Sequence, residues 1–155
     1  MTSTEIDVDA TAQRRVAELT AVFERGLQEK LGVGDSLGIR LDSASKGRTR
    51  YYLDPNPATI NAMFTVHGGV LATLMDTAMG SAVFTELGDG VAYTTLELKV
   101  NFIRAVTLDG SRLTCEATAV HVGRRTATAE GRITDAAGKL IAHGTTTILV
   151  LAQGN

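Results

Sequence analysis

VLATLMDTAMGSAVFTEL, residues 70–87, is the stretch on which the fold turns. Ala, Leu and Met dominate it, and these are helix formers rather than strand formers. Its polar positions are few: Thr73, Asp76, Thr77, Ser81 and Thr85, with Glu86 at the end. A helix apolar nearly all round has no wet face and belongs inside the protein. Gly80 within it predicts the close approach of another backbone.

Downstream of Gly88-Asp89-Gly90 the apolar period changes from 3.6 to 2. Leu96, Leu98, Val100 and Phe102 alternate with Thr95, Glu97, Lys99 and Asn101. Leu113, Cys115, Ala117 and Ala119 form a second such series, and Ala127, Ala129, Gly131 and Ile133 a third. Leu140–Leu151 is a fourth strand-like run. Asp109-Gly110, Val122-Gly123 and Ala137-Gly138 mark tight turns between these strands. Such alternation gives an antiparallel sheet with one apolar face, and the 70–87 helix is its natural mate. The expected architecture is α+β, a twisted sheet wrapped around one long central helix.

Upstream, two short strands are predicted around Leu37–Ser43 and Arg48–Leu53, turning at Lys46-Gly47. Asp54-Pro55-Asn56-Pro57 then breaks regular structure. Residues 11–31 read as an additional amphipathic helix. Val16, Leu19, Val22, Phe23, Leu27 and Leu31 lie on its apolar side, and Arg14, Arg15, Glu18, Arg25 and Glu29 on its wet side. Gly32 and Gly34 act as its stop signal. Residues 1–10 read as a disordered or frayed start, and 11–155 as a single domain.

Composition narrows the function classes. Hydrophobic residues make up 44% and charged residues 21%, as in an ordinary globular domain. The net charge of −2 without a Lys/Arg run argues against a nucleic-acid partner. No secretory leader and no stretch of about 18 apolar residues is seen, so no membrane association is expected. A single cysteine, Cys115, cannot form an internal disulfide, and a cytoplasmic location follows most simply. Three His and one Cys give no metal-ligand spacing, and no G-x-S-x-G elbow occurs.

The chemistry concentrates where the central helix begins. His67-Gly68-Gly69 stands at its N-terminus, where unpaired N–H groups and the positive dipole end offer a place for a developing oxyanion. Asp76 lies mid-helix among Leu74, Met75, Ala78 and Met79, with no Lys or Arg within four residues. An unpaired carboxylate there is expected to be buried, with its pKa raised toward that of a general base. Gly68 and Asp76 are eight residues apart, about 12 Å along a helix, whereas reacting groups meet at roughly 3–3.5 Å. Both can flank one carbonyl only if two antiparallel helices bring Gly68 of one copy opposite Asp76 of another. The spacing therefore predicts an obligate dimer with two composite sites.

Asn61, His67-Gly68-Gly69 and Asp76, followed by TTLELKVNFIR and GRRTATAEGRI, resemble the hotdog-fold acyl-CoA thioesterases of the phenylacetic-acid-degradation type. The resemblance runs from about Leu37 to the end. It implies that the Gly68 N–H polarises the thioester carbonyl, with His67 orienting that turn, Gly69 contacting the substrate or its CoA, and Asn61 positioning substrate or water. It implies Asp76 of the partner chain as base or nucleophile, and Thr95 as its assistant. Arg104, followed here by Ala105 where the family often has proline, is an implied CoA contact. Arg124 and Arg125 suit the CoA phosphates, since guanidinium matches phosphate geometry. The family assembles as a dimer or a dimer of dimers, a homotetramer. No metal or cofactor is implied, CoA being part of the substrate.

Two other readings remain at this stage. One is a non-catalytic acyl-CoA-binding or regulatory protein, although no DNA-reading segment accompanies the lone N-terminal helix. The other is a hotdog dehydratase or hydratase, which needs a His and an acid acting together on the acyl chain.

Overall fold

The structure, a computed structural model, describes residues 3–151. In chain order it contains α1 (Ser3–Glu29), α2 (Gly32–Leu37), β1 (Ile39–Ser45), β2 (Arg48–Leu53), α3 (Gly68–Phe84), β3 (Ala92–Phe102), β4 (Leu113–Val122), β5 (Thr126–Thr134) and β6 (Leu140–Leu151). The six strands form one antiparallel sheet in the order β1-β2-β4-β5-β6-β3. Helix α3 packs on its apolar face, with Leu74, Met75, Ala78, Met79, Ala82 and Val83 fully buried. Leu53, Leu113, Cys115, Ile133 and Ile148 meet them from the strands. Burial pushes the Cys115 thiol up to about 12, which makes it an inert core atom.

The helix comes closest to the sheet at its middle. Gly131 of β5 pairs with Gly144 of β6, so two adjacent positions lack a Cβ. A Cβ on Gly144 would fall on the Lys99 carbonyl and stand 2.6 Å from Met75 Sδ, and one on Gly131 would stand 3.2 Å from Met75 and Met79. The polar groups of α3 that face the sheet are satisfied. Tyr51 Oη and Ser81 Oγ share a hydrogen bond at 2.8 Å, and the Thr49 hydroxyl donates to the Ala78 carbonyl at 2.7 Å.

Four expectations about element bounds and turns need correction. Helical backbone starts at Ser3 rather than Thr11, because extending an existing helix costs far less than nucleating one; residues 1 and 2 lie outside the described part. Helix α1 stops at Glu29, where Lys30, not a glycine, takes the left-handed conformation (φ 54°). Gly32 then opens α2, which delays β1 to Ile39. Finally, Asp109-Gly110 is not a hairpin between neighbours. Helix α3 carries the chain across the sheet to its far edge, so β3 forms beside β6 and residues 103–112 must cross back to β4.

Arg15, expected on the wet side, is 1% exposed. Its guanidinium donates to the carbonyls of Phe84 (3.4 Å) and Val91 (2.7 Å), pairs with Glu18 (2.9 Å) and lies 3.6 Å over the Phe84 ring. The Phe84 carbonyl closes α3, so a cation sits at the negative end of that helix. Arg15→Ala, which strands those acceptors, is expected to cost about 3 kcal/mol in urea unfolding. Arg25→Ala, which removes only an exposed i,i+4 pair with Glu29, should cost less than about 0.5 kcal/mol. Equal midpoints for the two variants would refute the anchoring role of Arg15.

Candidate active site

His67 is the N-cap of α3, with extended φ −64° and ψ 134°. Its Nδ1 accepts the Gly69 N–H at 2.8 Å, and its carbonyl accepts from Val70 (2.9 Å) and Leu71 (3.2 Å). The Gly68 N–H, between them, has no acceptor among the described residues. A Cβ on Gly68 would stand 3.3 Å from the ring of Phe102, an exposed side chain that would have to give by a few tenths of an ångström. His67 is exposed and Gly68 half-buried, so the free donor faces outward at the positive end of the helix.

Asn61 shapes the approach to this turn. Its Oδ1 accepts the N–H groups of Met63 (2.9 Å) and Thr65 (3.2 Å), and its Nδ2 donates to the Thr65 hydroxyl at 3.0 Å. The side chain is thus engaged within the 61–65 loop. Met63 and Phe64 project from that loop, 78% and 70% exposed, with Phe64 held at φ 59°. Phe102 and Ile103 lie exposed as well, giving an apolar rim around the helix N-terminus.

Asp76 is half-buried rather than sunk in the core. It leaves α3 on the side facing β3, where the Thr95 hydroxyl donates to its Oδ1 at 2.9 Å. No Lys or Arg pairs with it among the described residues. Thr95 reaches the carboxylate because of a β-bulge. Thr95 pairs with Ile148 and Glu97 with Thr147, so Leu96 is the extra residue and turns outward, 56% exposed. Simple alternation puts Thr95 on the polar phase; the bulge places it on the inner face with Tyr93, Leu98 and Val100. The odd spacing from Tyr93 to Leu98 is the trace of this in the sequence.

Sequence reasoning missed Tyr93. It stands two residues before Thr95 on the same strand face, and its ring fills the space left by Gly80. A Cβ there would be 2.8 Å from the phenol oxygen. Gly80 therefore admits a side chain, not the backbone that the sequence predicts. Burial, and after it the negative charge of Asp76, push the phenol up to about 12, so near neutral pH it stays protonated and uncharged.

The arginines separate. Arg104 donates to the Leu140 carbonyl at 2.6 Å, at the Phe102 end of the sheet. Arg124 and Arg125 are exposed in the β4–β5 turn, at the opposite end, where Thr126 pairs with Leu149. Along β6 the two ends, marked by Ala142 and Leu149, are seven residues or about 24 Å apart. One chain does not bring the two sets to one ligand.

The sequence model of the Thioesterase superfamily matches residues 63–142. The chain belongs to this superfamily. The matched segment holds the helix, its N-terminal turn, Asp76 and Thr95. A provisionally named esterase of Halobacterium salinarum is 35% identical over 104 residues, covering 64% of this chain and 67% of its own. A 1,4-dihydroxy-2-naphthoyl-CoA hydrolase of Listeria monocytogenes is 26% identical over 120 residues, covering 77% of this chain and 96% of its own. The PaaI protein of the Escherichia coli phenylacetic acid degradation operon is 22% identical, with a TM-score of 0.75 over 88% of this chain and 96% of its own. That likeness establishes the hotdog fold, sheet around helix, in this superfamily member. Among the described residues no helix is long and apolar enough to cross a membrane.

The fit of Tyr93 is open to test. Gly→Ala inside a helix ordinarily stabilises by roughly 1 kcal/mol, but overpacking at the phenol costs about 1–3 kcal/mol. Gly80→Ala should therefore lower the unfolding midpoint, and Tyr93→Phe in the same chain should recover part of the loss. A Gly80→Ala variant more stable than the parent would show that nothing crowds that position.

Proposed function

We propose that this thioesterase hydrolyses acyl-CoA thioesters in a site completed by two copies of the chain, with Asp76 from one and the Gly68 N–H from the other. The observation that carries this reading is a carboxylate with one hydroxyl donor and no cation. It lies on the same helix as an N-terminal amide that has no acceptor. Thr95 holds Asp76 Oδ1, which leaves Oδ2 for the substrate side.

The distance along α3 argues for two copies. Gly68 and Asp76 both lie on this helix, about 12 Å apart. Strand β3 is an 11-residue edge strand whose outer hydrogen-bonding side no described strand takes up, which invites pairing with another strand. Two-fold pairing of β3 with its copy would continue the sheet and set the two α3 helices antiparallel. The exposed Met63, Phe64, Phe102 and Ile103 would then gain a cover. The same operation would bring one chain's Arg124-Arg125 corner toward the other's Arg104, collecting cations for the phosphates of CoA at one end of each site. The Listeria hydrolase, named for a CoA thioester, supports this choice of substrate class.

The chemistry follows from these groups. The Gly68 N–H, at the positive end of α3, stabilises negative charge on the carbonyl oxygen as the carbon becomes tetrahedral. Asp76 Oδ2 either removes a proton from the attacking water or attacks the carbonyl itself. The C–S bond then breaks and CoA leaves as thiolate, which takes up a proton. Incorporation of labelled water oxygen into Asp76 in a single turnover separates the two routes.

Asp76→Asn should bind acyl-CoA but lose roughly 10³-fold in kcat, followed by thiol release; undiminished turnover removes Asp76 from the mechanism. The shared site has a separate test. Gly68→Pro deletes the N–H at the first helical position, where proline fits, and His67 already holds the extended conformation that precedes proline. Each variant alone should be inactive. In a random equimolar mixture half the two-fold dimers are hybrids with one intact site, so activity returns to about one quarter of the parent's. No recovery in demonstrably mixed dimers would refute a site shared between chains.

A further inference from the structure

One oxygen near the proposed acid is left uncommitted by the fold. Tyr93 Oη has no hydrogen-bond partner among the described residues. No fully buried side-chain oxygen among them lacks a partner, so solvent reaches the phenol oxygen although its ring is packed. Phe84 flanks that ring, with centroids 6.2 Å apart, and Gly80 receives it on α3. The hydroxyl is therefore held in place by apolar contacts and kept open to water.

Two estimates put this oxygen about one water molecule away from Asp76. Gly80 follows Asp76 by four residues on α3, and side chains so spaced lie about 5–6 Å apart on one helix face. Tyr93 Oη stands in for the missing side chain, 2.8 Å from where a Gly80 Cβ would be. From the sheet, Tyr93 and Thr95 share the inner face of β3, two residues or about 7 Å apart. Thr95 holds Asp76 Oδ1 from there. Two O–H···O bonds through a single water span roughly 5.6 Å, which matches both estimates.

We infer that Tyr93 is a catalytic residue which, together with Asp76 Oδ2, holds the water that attacks the thioester. The inference rests on the thioesterase reading above and selects the water route within it. The water gives one hydrogen to Asp76 Oδ2 and the other to Tyr93 Oη, leaving a lone pair on its oxygen for the carbonyl carbon. Asp76 takes the first proton as the new C–O bond forms. The carbonyl π electrons move onto the oxygen that faces the Gly68 N–H of the other copy. Collapse of this oxyanion breaks the C–S bond, and the proton on Asp76 passes to the leaving thiolate. Tyr93 changes no bond of its own. Burial keeps its phenol protonated, so it accepts a hydrogen without setting a second negative charge beside the acid. One hydroxyl, that of Thr95, orients the carboxylate, and the other orients the nucleophile.

Tyr93→Phe keeps the ring and removes only the hydroxyl. Loss of one neutral hydrogen bond to the nucleophile should lower kcat about tenfold, with KM for acyl-CoA unchanged. A product ratio gives the sharper readout, because it does not depend on how much of a variant is folded. Methanol has a single O–H. Once that hydrogen goes to Asp76 Oδ2, the methyl group must lie where Tyr93 Oη would take the second one. In Tyr93→Phe the same place is apolar and larger. The yield of methyl ester relative to free acid in dilute methanol should therefore rise roughly fivefold over the parent. Thr95→Val disturbs the carboxylate without touching the water, so it should lower kcat and leave that ratio at the parent's value.

In a single turnover in labelled water, Asp76 of the parent should stay unlabelled. Unchanged kcat and product ratio in Tyr93→Phe would overturn the inference. An equal rise of the ratio in Thr95→Val would do the same, by showing that any loosening of the acid admits methanol. Label in Asp76 would overturn it as well, while hydrolysis by Asp76 would stand. A parent protein that releases no thiol from acyl-CoA would instead defeat the thioesterase reading, and this inference with it.

Discussion

The seating of Met75 and Met79 over Gly131 and Gly144 fixes everything else about this molecule. Two paired glycines in adjacent central strands strip the Cβ layer from that patch of the sheet, and Met75 and Met79 of α3 settle there. Interiors are close-packed and do not tolerate even a methylene too many, so the helix has one rotational setting. With Met75 and Met79 turned down, Asp76 must leave the helix sideways, toward β3. The packing of its neighbours gives the acid its direction, and the Thr95 hydroxyl then orients the carboxylate.

What meets it there depends on one extra residue. Without the bulge at Leu96, Thr95 would face the wet side of the sheet, and Asp76 would rest beside apolar strand residues with no donor. A carboxylate without a partner in such a place is costly. With the bulge, Thr95 Oγ1 supplies one hydrogen bond and stops there: it orients the carboxylate yet carries no charge to neutralise it. Arginine in the same position would form a permanent ion pair and silence the acid. A hydroxyl donor suits a base or nucleophile that must stay available.

The sequence read well wherever a single periodicity decided the matter. The Ala/Leu/Met run at 70–87 could only be a buried helix, and the alternations around Cys115 and Ile133 could only be half-buried strands. It read poorly where a tertiary partner decided. Arg15 resembles its charged neighbours on α1 until Phe84 and Val91 present carbonyls to it. Thr95 looks solvent-facing until a bulge, invisible to a count of two, reverses its phase. Strand order was out of reach for a similar reason, since local turn chemistry at Asp109-Gly110 says nothing of which edge the preceding strand has joined. Of the candidate site, the helix-borne Gly68 and Asp76 could be singled out in the sequence, whereas Tyr93 required the sheet.

Gly68 brings together the demands of fold and chemistry. The Phe102 ring stands 3.3 Å from where its Cβ would be, and in the proposed reaction the Gly68 N–H must stay uncapped to meet an oxyanion. His67 resolves the conflict that follows. A helix N-terminus normally seeks an acceptor for its first amides, and His67 satisfies the second of them, at Gly69, while its carbonyl takes the third and fourth. Only the Gly68 amide is left over. A Ser or Asp cap could accept from the following amides in much the same way, but Asp would set a negative charge beside the oxyanion it is meant to welcome. Imidazole caps the helix through a ring nitrogen and adds no negative charge, so in the proposed reaction the positive end of α3 keeps its attraction for the carbonyl oxygen.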